Sequence, residues 1–167
     1  MKHLWICTLL LPVLLSSCKD RFPPEAEEYF SFYADGEFFY YPQERGLGFG
    51  GTGQTLKAKK SGTTAYRIYA YSRKDPVATG AVSFEFSENH IPDKDTIFLD
   101  GSSNTVSVLD LKTEGNSFVL APPLMGKITF YQRNMDKLTG TFEFQASQST
   151  GKVLTVTEGK FSIIPSK

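Results

Sequence analysis

The chain has 167 residues, enough for one domain with a sizeable core and too few for two comfortable ones. Its 18 Lys and Arg balance 18 Asp and Glu, so it offers no net charge to a polyanion, which argues against nucleic acid as a partner. Aromatic residues make up 14%, nearly all of them Phe or Tyr, a composition that favours the pleated, half-buried surfaces of β-sheet.

Met1-Lys2-His3 is a short basic start, followed from Leu4 to Leu15 by an apolar run broken only by Thr8 and Pro12. The run falls short of the roughly 20 residues a membrane-spanning helix needs, so it reads as the apolar region of a secretory signal. Leu15-Ser16-Ser17-Cys18 then resembles the bacterial lipobox: an aliphatic residue, two small residues, and the cysteine whose thiol takes diacylglycerol. The expected organisation is a lipoprotein signal peptide over 1–17, a lipidated Cys18 with a tether over 18–28, and an all-β domain over 29–167. Two or three acyl chains, palmitate among them, would make an effectively permanent anchor at roughly 0.8 kcal/mol per buried CH₂. Cleavage before Cys18 also removes Cys7, leaving no pair for a disulfide. Lys19 follows the cysteine, so an inner-membrane retention Asp is absent there, and the expected location is the outer membrane, on its periplasmic or its surface face. Lys19 to Glu28 is polar and carries Pro23-Pro24, the texture of a semi-stiff spacer.

From Tyr29 onward the chain is strand and turn. Tyr29–Ala34 and Glu37–Tyr41 flank Asp35-Gly36, a pair suited to a tight hairpin. After a glycine-rich loop at 46–53, Thr55–Lys60 and Ala65–Arg73 flank Ser61-Gly62. Ala81–Ser87 alternates, with Val82, Phe84 and Phe86 on one face. Thr96–Leu99, Val106–Leu111 and Ser117–Leu120 follow, separated by Asp, Gly, Ser and Asn turns at 100–104 and 114–116. Lys127–Arg133, Leu138–Ala146 and Val153–Ile164 close the domain. About ten short strands with brief turns predict antiparallel pairing. Apolar groups on both faces of several strands favour a β-sandwich, with a closed lipocalin-like barrel as the alternative.

The stretch from Asp136 through Gly140-Thr141-Phe142-Glu143-Phe144 to Thr157-Glu158-Gly159-Lys160-Phe161 is similar to the ending of a family of small Bacteroidetes lipoproteins. Phe32-Tyr33-Ala34-Asp35-Gly36 resembles the segment on which their domains open, displaced by one residue and lacking its Trp. The likeness covers the lipobox, that hairpin and the last 40 residues or so, and it implies an envelope lipoprotein with an all-β fold. It implies no activity.

Catalytic constellations are missing from the sequence, so the expectation is a protein that is not an enzyme and holds no cofactor or metal. The mature chain has one Cys, the anchor, and one His, His90, in a loop before Pro92. Asp100 to Asn104 superficially suggests a calcium loop, yet Thr105 stands where the template wants Gly and Leu111 where it wants a bidentate acid. Glu85 and Glu143 could serve as a glycosidase pair only on neighbouring strands. The glycines at 46–53 lack the Gly-Lys-Ser/Thr ending of a phosphate loop.

The positive feature is a surplus of rings: residues 29 to 41 hold eight, more than one hairpin face can bury. Tyr33, Phe39, Tyr40 and Tyr41, with Tyr69 and Tyr71 further along, are the candidate ligand or partner surface. The expected role is a non-enzymatic binding or accessory module, lipid-anchored to the membrane and engaging an envelope protein or a glycan. The alternative is a barrel-like carrier of a glycan or lipid.

Overall fold

The computed structural model describes residues 27–43, 55–74, 77–88, 90–109, 117–134 and 136–166. Segment 1–17, Cys18, the tether up to residue 26, the loop at 46–53, the turn at 114–116 and Leu111 lie outside the described residues. Eleven strands follow in chain order: β1 (Tyr29–Ala34), β2 (Glu37–Pro42), β3 (Thr55–Ser61), β4 (Ala65–Lys74), β5 (Val77–Phe86), β6 (Thr96–Leu99), β7 (Asn104–Leu109), β8 (Ser117–Val119), β9 (Gly126–Arg133), β10 (Leu138–Ser147) and β11 (Val153–Ile163). The first hairpin forms as its sequence dictates, since Asp35 and Gly36 both take positive φ, 49° and 82°, the requirement of a two-residue turn.

All the pairings are antiparallel, and the strands make one continuous sheet in the order β2-β1-β11-β10-β8-β7-β5-β4-β3. β9 and β6 branch from it, β9 on β10 and β6 on β9. The sheet curls until β2 and β3 lie alongside each other, giving a nearly closed barrel rather than the two-sheet sandwich expected from sequence. Apolar groups on both faces of a strand do not here mark a second covering sheet: the outer rings of the first hairpin, Tyr33 and Phe38, lie at the barrel surface.

The barrel stops short of full closure between β2 and β3, the two ends of the strand path. Nine strands make up the closing path, and antiparallel neighbours alternate in direction, so an odd number leaves β2 and β3 running the same way. An antiparallel ladder cannot continue across that seam. Single bonds bridge it instead: the Leu56 amide donates to Gln43 Oε1 at 2.8 Å, and beyond β11 the Ser166 amide donates to the Ala58 carbonyl at 3.2 Å.

Inward positions alternate with outward ones, most cleanly on β10, where Leu138, Gly140, Phe142, Phe144 and Ala146 are buried. Rings meet both along the wall and across the interior: Phe142 stacks at 4.7 Å on Phe30, which lies on the far side of β11, Phe84 meets Phe142 edge-on at 5.0 Å, and Phe84 reaches Phe30 across the barrel at 6.2 Å. Glycines make room for them. Gly140 pairs with Phe161 and Gly159 with Phe142 across β10 and β11, and Gly126 pairs with Phe144 across β9 and β10. A Cβ on Gly140 or Gly159 would overlap its partner's ring. The Gly-Thr-Phe-x-Phe and Thr-x-Gly-x-Phe signatures are thus two halves of one interlocked core.

Candidate functional site

β10 changes partner along its length, pairing with β9 from Leu138 to Phe144 and with β8 at Ser147. The connection from Leu120 to Met125 leaves the sheet at this fork. It turns through a Leu124 amide bond to the Ala121 carbonyl (2.9 Å), contains a cis Pro122-Pro123 peptide, and returns where Gln145 donates to the Met125 carbonyl at 3.1 Å. Between this connection and the outer face of β9, β10 and β11 lies a groove of about 500 Å³.

Its wall is apolar and its floor polar. Phe98 from β6 and Met125 stand 64% and 65% exposed, a large investment of apolar surface in water for residues with inward alternatives close by. On the floor, Lys127 and Glu143 form an ion pair at 2.9 Å, and Gln145 Nε2 reaches Thr155 Oγ1 at 3.5 Å. The first hairpin turn is pinned to the far side: Thr155 donates its amide to Asp35 Oδ1 at 2.9 Å, and the Asp35 amide donates back to the Thr155 carbonyl at 3.0 Å.

The residues singled out from sequence divide three ways. Tyr33 and Tyr40 face outward on the first hairpin, where Tyr33 packs on Phe38 at 5.1 Å and Phe38 stacks on Tyr40 at 6.5 Å. Phe39 and Tyr41 turn inward and stack on Phe32 at 5.3 and 6.1 Å, so they belong to the core. Burial pushes the Tyr41 phenol up to about 12. Tyr69 and Tyr71 stack at 6.0 Å on the outer face of β4, beside Lys57 of β3, away from the groove.

Phe98, Met125, Lys127 and Gln145 were missed. Thr96-Ile97-Phe98-Leu99 reads as a plain apolar run, but strict alternation with Ile97 and Leu99 inward puts the Phe98 ring outside, and that period was the available signal.

Other acidic groups are engaged separately. Glu85 pairs with Arg67 at 2.5 Å, on a strand that is no neighbour of the one carrying Glu143. Asp95 takes Arg133 at 3.2 Å. Asp100 Oδ1 accepts the amides of Ser102, Ser103 and Asn104 at 2.9 to 3.2 Å, and these bonds hold its carboxyl below the usual range. Among the described residues no group of three or more His, Cys, Asp or Glu is placed to hold a metal.

A second cavity, of about 310 Å³, lies where Tyr66, His90, Pro92, Leu138 and Pro165 converge. Its strongest polar group is already committed, since the Arg133 guanidinium donates to the Pro92 carbonyl at 2.6 Å. The groove, with its exposed ring and its row of side-chain donors and acceptors, is the stronger candidate. Comparison with protein-family models, with curated proteins and with solved structures gave no match.

Proposed function

We propose that this chain is a non-enzymatic glycan-binding module of the bacterial envelope, tethered to the outer membrane through a lipidated Cys18. One observation carries the binding reading: the groove at the β10 fork sets an exposed ring against a polar floor. A pyranose has apolar faces and a hydroxyl-bearing edge. Phe98 suits the face, while Thr155, Gln145, Lys127 and Glu143 supply donors and acceptors for the edge. A lipid carried inside the barrel has less support, because Phe30 and Phe84, from distant strands, meet at 6.2 Å with Phe142 packed against both. The lipobox-like Leu15 to Cys18 and the Gly–Phe signatures support placing the chain beside the small Bacteroidetes lipoproteins it resembles.

Native affinity electrophoresis of the domain through gels containing soluble neutral polysaccharides tests the binding. A retarded band is expected, and Phe98→Ala should weaken retention about tenfold, the equivalent of about 1.4 kcal/mol. No retardation in any gel, or retardation indifferent to Phe98, overturns the reading. The anchor has its own test: a Cys18→Ala variant expressed in the native host should leave the membrane fraction, and one that stays there removes the lipid from the account.

A further inference from the structure

Strand register joins the groove to the aromatic surface of the first hairpin. Phe98 pairs with Lys127, Lys127 with Glu143, Thr157 with Tyr33, and Tyr33 with Phe38. Between Glu143 and Thr157 lies the bulge of β11, where the partners of β10 skip from Gly159 to Val156 and Glu158 takes a positive φ of 52°. The six side chains, one from each of β6, β9, β10, β11, β1 and β2, therefore form a single row across the outside of the barrel, and all six are exposed. Neighbouring strands are about 4.8 Å apart, so five steps carry the row roughly 24 Å. Phe98 stands at one end. At the other, 37% exposed each, stand the packed rings of Tyr33 and Phe38.

From this, and resting on the glycan reading above, we infer that the ligand is an internal stretch of a linear neutral polysaccharide lying across the strands, gripped by rings at both ends of the row. A ring at one end and a packed pair at the other, with a polar middle, suit a chain of sugars, each offering a face and an edge. They do not suit one small molecule, which could reach only one cluster. Charge sets the class. Lys127 and Glu143 cancel in their ion pair, and Glu158 shares a small pocket beside the row with Lys160, while Asp35 and Glu37 at the hairpin turn add negative charge. An acidic polysaccharide would meet repulsion there.

The experiment is isothermal titration of the domain with cello-, xylo- and malto-oligosaccharide ladders from the disaccharide upward, with oligogalacturonate as the acidic counterpart. Affinity should climb with each added sugar of the matching ladder until the chain spans the row, then level off, while oligogalacturonate binds at least tenfold more weakly. Phe98→Thr and Tyr33→Thr keep strand-compatible residues. Each should cost about tenfold for long chains, whereas Tyr33→Thr leaves the disaccharide unaffected; thermal melting checks that both variants fold. Affinity already maximal at the disaccharide, or long-chain binding indifferent to Tyr33, overturns the row while leaving the groove a glycan site. Preference for the acidic ladder overturns the charge argument. Failure of every ladder, with the variants folded, overturns the glycan reading itself.

Discussion

Single residues divide here into those whose roles follow from local chemistry and those fixed by remote packing. Tyr41 is of the second kind: nothing nearby in sequence distinguishes it from Tyr40, yet one ring is core and the other surface. Its burial has a testable consequence. The neutral phenol is the form the folded state favours, with its midpoint raised from 10.0 to about 12. The corresponding stability, about 3 kcal/mol, is fully present below pH 10.0 and is lost as pH rises towards 12. Urea melts of wild type and Tyr41→Phe should therefore diverge across that window, with the variant keeping more of its stability; parallel curves would refute the assignment. Gly140 and Gly159 are a second case. Replacing either with Ala drives a methyl into the facing ring, and at Gly140 also into the Thr129 carbonyl, at about 1–3 kcal/mol and several degrees of melting temperature. Gly36, φ 82° and with open space around it, should fail through backbone strain instead. The sequence pattern shows these glycines as a motif. It does not show that each faces a particular phenylalanine, because that depends on register between distant segments.

Elements were more legible than their arrangement. Each strand announces itself by alternation and each turn by its Gly, Asp or Asn, although β5 starts at Val77 rather than Ala81, and β7 at Asn104 rather than Val106. Lateral order is another matter. β1 lies between β2 and the last strand, β11, because it brings Phe30 against Phe161 and Phe142, contacts no local pattern encodes. The sandwich expectation failed for the same reason, since rings on both faces of a strand do not say whether sheet or solvent covers the outer set. The turn between β6 and β7 gives a prediction at this scale. Asp100 binds three amides there, and Asn104 Nδ2 reaches back to the Phe98 carbonyl at 3.4 Å. Bonds to the ionised form lower the folded-state value, so the contribution exists above the unfolded pKa and disappears as pH falls through the folded one. Carboxyl NMR should place the Asp100 midpoint below that of an ordinary aspartate. Asp100→Ala should speed amide exchange at Ser102 to Asn104, and unchanged exchange would count against the turn's dependence on that carboxylate.

Among the described residues the molecule is a barrel with one unlaced seam, bridged by side-chain and terminal bonds in place of a ladder. Gln43→Ala should cost about 1 kcal/mol and deprotect the Leu56 amide, and truncation after Pro165 should loosen the same edge by freeing the Ala58 carbonyl. Intact protection at Leu56 in both variants would show that the seam is sealed by other means. The chain enters the barrel firmly on the opposite flank of β1: Ser162 Oγ donates to the Glu27 carbonyl at 2.8 Å, and the Ile164 amide to Glu28 Oε2 at 3.0 Å. This entry has a mechanical meaning. If the tether and the outer-row ligand are as proposed, tension arriving at Glu27 runs along β1, laced to β2 on one side and β11 on the other, and loads both ladders in shear, many bonds at once. A pull between the two chain ends, which emerge side by side where Tyr29 pairs with Ser162, would instead unzip β1 from β11 one bond at a time. On the proposed reading, the barrel resists drag on a bound polymer far better than traction on its own termini.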